Sequence, residues 1–166
     1  GHFANFELMS MEITKKEVKL ATIYRPLNNY FLNPLMEYLR KKYVCKNQIK
    51  KGINGVRDAI NYINKDFSIA LMIDQRVSEG VKINFFDKPA LTTTLPAQLA
   101  IKYNLTVIPV FIERLKEDNF RIEFQNEIDS KNFKDKIELT KKLNETLEKM
   151  IERNPNQWIW THNRWK

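Results

Sequence analysis

The sequence predicts an α/β fold, with a mixed, mostly parallel central sheet flanked by helices. Val18–Tyr24 and Ser68–Ile73 are β-favouring runs, and the stretch between them repeats apolar residues at helical spacing. The second run, Ser-Ile-Ala-Leu-Met-Ile, is almost unbroken in its apolarity, the pattern of a strand covered on both faces. Each run ends in polar residues, Tyr24-Arg25 and Asp74-Gln75-Arg76, so function is expected at the strands' carboxyl ends. The 166 residues suit one domain, 1–166, and 43% apolar content supplies a real core.

Phe6 to Glu17 carries Phe6, Leu8, Met9, Met11 and Ile13, which suits a short helix with a mixed face. The strand after it stops at Arg25-Pro26, where the proline restricts the preceding residue. Asn28 and Asn29 are placed to cap a helix over Tyr30–Tyr43, with Leu32, Leu35, Met36 and Leu39 on one face and Arg40, Lys41 and Lys42 at the end that favours cations. A second helix is expected over Val56–Asn64. Gly80–Lys88 reads as a hydrophobic loop or short edge element before Pro89. Thr92, Thr93 and Thr94 precede a helix through Lys102. Thr106–Ile112 is a third strand, made irregular or marginal by Pro109, and Phe120–Phe124 alternates as an antiparallel neighbour. Ile137, Thr140, Leu143, Leu147 and Met150 form one stripe on a long charged helix over Phe133–Arg153, which Pro155 stops. The closing segment holds Trp158, Trp160 and Trp165 beside His162 and Arg164; packing, a substrate lip and a membrane-interface belt fit it equally.

Lys and Arg number 28 against 20 acids, a formal net charge of +8, which points to anionic partners: nucleic acid, phosphorylated small molecules or an anionic membrane surface. No nucleic-acid recognition motif appears, so no nucleic-acid partner is expected. The single Cys45 excludes an intramolecular disulfide, and two histidines leave no cluster at metal-ligand spacing. No apolar run approaches the roughly 18 residues that would span a bilayer. The chain opens on Gly1 within its most informative motif, so a further N-terminal part is expected upstream.

That motif, Gly1-His2-Phe3-Ala4-Asn5-Phe6-Glu7, sets a histidine five positions before a carboxylate. Five steps of one continuous helix would leave the two about 140° apart. They meet only with His2 in a turn and Glu7 in the first helical turn. A carboxylate on one ring nitrogen fixes the tautomer, leaves the other to take a proton from a hydroxyl, and stabilises the imidazolium that results.

His2-x-x-x-x-Glu7, then Tyr24-Arg25-Pro26-Leu27-Asn28-Asn29, Asp74-Gln75, Phe85-Phe86-Asp87-Lys88-Pro89-Ala90, Ile108-Pro109-Val110 and Pro155-x-Gln157-Trp158-x-Trp160-x-His162-x-Arg164-Trp165 follow one another over nearly the whole chain. In that order they resemble the bacterial lipid A biosynthesis acyltransferases, the late lauroyl and myristoyl transferases. The resemblance implies a glycerolipid-acyltransferase-like fold lacking its N-terminal anchor and first helices. It implies an enzyme on the cytoplasmic face of the inner membrane that moves a fatty acyl chain from acyl carrier protein to a hydroxyl of a lipid A precursor. No cofactor beyond the acyl carrier protein thioester and no metal is implied. His2 and Glu7 match the family's catalytic dyad. Arg25 matches an arginine suited to phosphate, with a salt bridge to a structural acid such as Asp74 as the alternative. Asn28 and Asn29 are caps or ligands, and Asp74 with Gln75 would orient Arg25 or the substrate. No covalent enzyme intermediate is required, which leaves Cys45 a bystander. Ala4 and Phe6 stand where the family commonly has Gly and Trp. The acceptor stays open between a lipid A precursor and another membrane lipid, a glycerophospholipid or a mannosylated phosphoinositide.

Overall fold

Three parallel strands make up the largest sheet, with β1 (Leu20–Tyr24) between β2 (Asn47–Lys50) and β3 (Ser68–Ala70). They belong to a computed structural model that describes residues 1–166. The chain divides into two compact units, one comprising Phe6–Leu71 and the other Gly1–Asn5 with Met72–Lys166. The fold is mixed α/β, as expected. Parallel pairing is confined to this one sheet, and the remaining strands pair antiparallel in twos.

In the unit over Phe6–Leu71, helix α1 (Glu7–Lys15) packs on β1, whose first three residues are buried. β2 escaped the sequence reading because Asn-Gln-Ile-Lys has one apolar residue, Ile49, and no alternation to detect. It is held by polar groups instead. The Cys45 thiol and the Asn47 amide both donate to the Leu20 carbonyl, at 3.3 and 3.0 Å, and the parallel register Ala21↔Asn47 follows. β3 ends at Ala70, three residues before the expected limit.

Helix α2 (Leu32–Leu39) is shorter than the predicted Tyr30–Tyr43. Its continuation, Arg40–Val44, winds as a π-helical turn closed by the Cys45 amide donating to the Arg40 carbonyl at 2.9 Å. Asn29 does cap it, its Oδ1 accepting from the Phe31 and Leu32 amides at 3.0 and 3.1 Å. Of the apolar face expected to pack, Leu32 and Leu35 are exposed and Met36 and Leu39 are half-buried, and no residue of α2 is fully buried. Helix α3 (Ile53–Ile63) starts three residues before the expected Val56, because Gly52 at φ 138° turns the chain directly out of β2. α3 lies against all three parallel strands.

In the other unit, Gly80–Lys88, expected as a loop or a short edge element, holds the latter. β4 (Val81–Phe85) and β5 (Lys88–Thr92) form a hairpin whose two turn residues, Phe86 and Asp87, take φ of 49° and 57°. Those are the left-handed angles of a tight hairpin turn, usually signalled by Asn-Gly, and Phe-Asp hides the signal. Helix α4 (Leu95–Lys102) places Ala97 and Ala100 against Leu139 and Leu143 of helix α5 (Lys136–Arg153), forming a core cluster. Asp135 starts α5, its Oδ1 accepting from the Ile137 and Glu138 amides at 2.7 and 2.9 Å. Pro109 splits the third predicted strand into β6 (Thr106–Val107) and β7 (Val110–Arg114). β7 pairs antiparallel with β8 (Phe120–Phe124), as the alternation predicts, and β6 pairs with β9 (Ile128–Asp129). No helix is long and apolar enough to cross a membrane.

The start of α3 has no room for a side chain at Gly55, where an added Cβ would lie 2.0 Å from the Lys50 carbonyl oxygen. Because the obstacle is backbone, Gly55→Ala is expected to displace β2 and cost about 3 kcal/mol, read as a lower urea midpoint. An unchanged midpoint would contradict the close approach of α3 to β2.

Candidate active site

The segment from His2 to Ala4 is laid along residues 157–159 by backbone hydrogen bonds. Ala4 N–H donates to the Gln157 carbonyl at 2.8 Å, Ile159 N–H to the His2 carbonyl at 3.0 Å, and Phe3 bridges antiparallel to Trp158. Phe3 anchors this arrangement. Its ring is fully buried and meets Phe111 edge-on at 5.0 Å, which fixes where the preceding residue projects.

His2 projects onto Asp74, and three donors converge on that carboxylate. The His2 ring Nδ1 lies 2.7 Å from Oδ1, the His2 backbone N–H donates to Oδ2 at 2.6 Å, and the Trp158 indole donates to Oδ2 at 2.9 Å. The Asp74 side chain is 3% exposed and that of His2 is 18% exposed. Burial alone would raise the Asp74 carboxyl, but the hydrogen bond from the His2 ring, the positive charge of the Gly1 amino group and the His2 backbone N–H outweigh it and hold the group well below the usual carboxylate range. An ionised Asp74 accepts, so the proton sits on Nδ1 and Nε2 becomes the ring's accepting nitrogen.

These two residues line an open cleft of about 220 Å³, together with Gln75, Trp158, Ile159, Thr161 and His162. The wall beyond Asp74 is also fixed, because His162 Nε2 accepts from the Arg76 backbone N–H at 2.8 Å. Arg164 is fully buried, donates to the Leu91 carbonyl and the Thr92 hydroxyl at 2.6 and 2.7 Å, and lies over the Phe85 ring. Trp165 donates to the Phe85 carbonyl at 2.9 Å. The tryptophan-rich end therefore divides its work. Trp158 and Trp165 donate from buried or half-buried positions, whereas Trp160, which donates to the Pro155 carbonyl at 2.8 Å and stacks edge-on against Trp158 at 4.6 Å, remains 56% exposed. No group of three His, Cys, Asp or Glu side chains could hold a metal ion.

Glu7, Arg25, Asn28 and Asn29 belong to the unit over Phe6–Leu71. Glu7 heads α1 and accepts from Arg40 Nε at 3.0 Å. Arg25 is exposed just past the end of β1, Asn28 is exposed, and Asn29 caps α2.

An imidazole backed on Nδ1 by a buried carboxylate, in a residue that lines an open cleft, has the chemistry of a general base toward a hydroxyl. A family model described as bacterial lipid A biosynthesis acyltransferase matches residues 1–166, the whole chain. The chain belongs to this family. Comparison with curated proteins finds no match. In this member of an acyltransferase family, the sequence leaves Trp158 and His162 open between packing, a substrate lip and a membrane-interface belt, and the structure sets both in the cleft wall. Their partners are 84 and 86 residues away in the chain, and linear spacing carries no trace of such convergence. The one available signal was the clustering of tryptophan and histidine after Pro155.

Trp158→Phe keeps the ring and deletes the donor, leaving a buried charge short of one hydrogen bond, and is expected to cost about 2 kcal/mol in urea unfolding. The pH dependence has a definite sign. Asp74 titrates below its ordinary value of 3.8 in the folded state, so its stabilising contribution is present above that value and lost as the pH falls through and below it. Unfolding free energy should therefore drop in acid, and Asp74→Asn should flatten that drop. Equal acid sensitivity in the two proteins would refute the assignment.

Proposed function

We propose that this chain transfers a fatty acyl group from acyl carrier protein to a hydroxyl of a lipid A precursor, with His2 as the general base. The observation that carries the reading is the buried Asp74 carboxylate on His2 Nδ1 at 2.7 Å, both residues lining an open cleft. His2 Nε2 takes the proton from the acceptor hydroxyl as its oxygen attacks the thioester carbonyl. The tetrahedral intermediate then collapses, breaking the carbon–sulfur bond, and the imidazolium returns its proton to the departing thiolate. The products are an ester and a free thiol, and His2 ends neutral as it began. Asp74 stabilises the imidazolium while it exists and keeps the ring in one tautomer. Gln75, beside Asp74 in the cleft wall, is the amide available to a substrate oxygen.

Family membership supports acyl transfer in lipid A biosynthesis. The acyl carrier protein donor, the particular acceptor hydroxyl and a location on the cytoplasmic face of the inner membrane are further parts of this proposal. So are Arg25 as a phosphate ligand at an exposed strand end, Asn28 and Asn29 as neighbouring ligands, and a mostly parallel central sheet of which β2-β1-β3 is a part. Glu7 was proposed as the dyad carboxylate. The carboxylate found on Nδ1 is that of Asp74, and the two separate by mutation.

Transfer of labelled acyl groups from acyl carrier protein to a lipid A precursor tests the reading. His2→Ala should lower kcat by about 10²–10⁴-fold with an unchanged circular dichroism spectrum. Asp74→Asn should lower it more than Glu7→Gln does. Turnover retained by a folded His2→Ala protein would eliminate the mechanism, and a loss at Glu7 exceeding that at Asp74 would return the dyad to Glu7.

A further inference from the structure

Helix α2 is amphipathic in the reverse sense. Its polar residues are engaged with the protein. Asn33 accepts from the Leu27 amide at 2.8 Å and donates to Glu37 at 2.8 Å, Glu37 pairs with Lys50 at 3.2 Å, and Arg40, at the start of the π turn, pairs with Glu7 at 3.0 Å. Met36 and Leu39 are half-buried, and the other large apolar residues face out. Phe31, Leu35 and Tyr38, spaced four and three apart on one helical face, are 93%, 53% and 57% exposed, and Tyr30 just before them is 91% exposed. An apolar face left over from core packing would not have its polar side tied to the rest of the unit by three interactions, to Leu27, Lys50 and Glu7. Large exposed apolar patches of this kind mark interaction sites.

The charge around the patch identifies the partner. Residues 25–51 hold seven cations (Arg25, Arg40, Lys41, Lys42, Lys46, Lys50 and Lys51) and one acid, Glu37, a net +6 of the chain's formal +8. Lys42 follows Tyr38 on the same side, its ammonium lying 5.5 and 5.0 Å from the Tyr38 and Tyr43 ring centres. Aromatic and aliphatic side chains flanked by lysines whose stems can lie along the patch match the boundary between the acyl chains and anionic headgroups of a bilayer. We propose that α2 and its π turn are an interfacial docking element. Phe31, Leu35 and Tyr38 enter an anionic phospholipid surface, and Lys41 and Lys42 lie at headgroup level. A surface of this kind would bind lipid whether or not the chain turns over substrate, so the inference stands apart from the acyl-transfer reading.

Co-sedimentation with vesicles containing phosphatidylglycerol, compared with pure phosphatidylcholine, is the test. The chain should bind the anionic vesicles, more weakly as salt is raised. Phe31→Ser with Leu35→Ser, and separately Lys41→Gln with Lys42→Gln, should each lower partitioning about tenfold. All four positions are exposed, Phe31 immediately before α2, Leu35 within it and Lys41 and Lys42 in its π turn, and an unchanged thermal melt confirms that the variants fold. As a readout independent of sedimentation, Tyr30→Trp should give an emission that shifts to the blue on adding anionic vesicles. The proposal is overturned if the wild-type chain ignores anionic vesicles or if both double variants bind as it does. It is equally overturned if sedimentation velocity shows the wild type self-associating through this face and the Phe31/Leu35 variant monomeric, which would make a second copy the partner.

Discussion

A single buried carboxylate, Asp74, governs the unit that contains the cleft. A charge that is 3% exposed is tolerated only if its oxygens are satisfied, and three donors from two distant stretches of chain meet that demand. The requirement propagates. The His2 amide reaches Asp74 only because the first residues run antiparallel to residues 157–159, and the Trp158 indole reaches it only because Phe3 and Phe85 pack that end of the chain into place. The same bonds that make the charge tolerable aim the imidazole, so stability and chemistry share one set of contacts.

Much of the fold was legible in the sequence where apolar pattern decides structure. The stripe of α5, the alternation of β8 and the buried start of β1 came through as read, and Pro109 interrupted its strand as its missing N–H requires. β2, the β4–β5 turn and the π turn did not. Each is specified by backbone or polar geometry that many residue types satisfy: a thiol and an amide on one carbonyl, two left-handed residues without glycine, and one extra residue in a helical turn. The outward face of α2 shows a different limit. Helical spacing reveals that Phe31, Leu35 and Tyr38 share a side, but which side faces the protein is decided by Asn33, Glu37 and Arg40 finding partners in other elements.

The candidate site divides in the same way. His2 was conspicuous because a histidine followed five residues later by a carboxylate is a chemical signature, and imidazole chemistry pointed to an acid partner, expected at Glu7. Which acid meets Nδ1 is a tertiary fact. Asp74 was recognised as a motif position at a strand's end, yet nothing in its neighbourhood along the chain announces a partner 72 residues earlier. Family resemblance supplied membership and left that geometry to the coordinates.

The stitching of His2 and Ala4 to residues 157–159 also constrains when the cleft can exist during synthesis. A ribosome that has just made His2 must add more than 150 further residues before Trp158 emerges to complete the carboxylate's shell, several seconds at least at cellular elongation rates. The Phe6–Leu71 unit, whose sheet draws only on contiguous sequence, is translated in full well before that. Completion of the cleft therefore waits on joining residues 2–4 to residues made more than 150 positions later, and a chain released short of Trp158 lacks the indole donor and the backbone partners that aim its histidine.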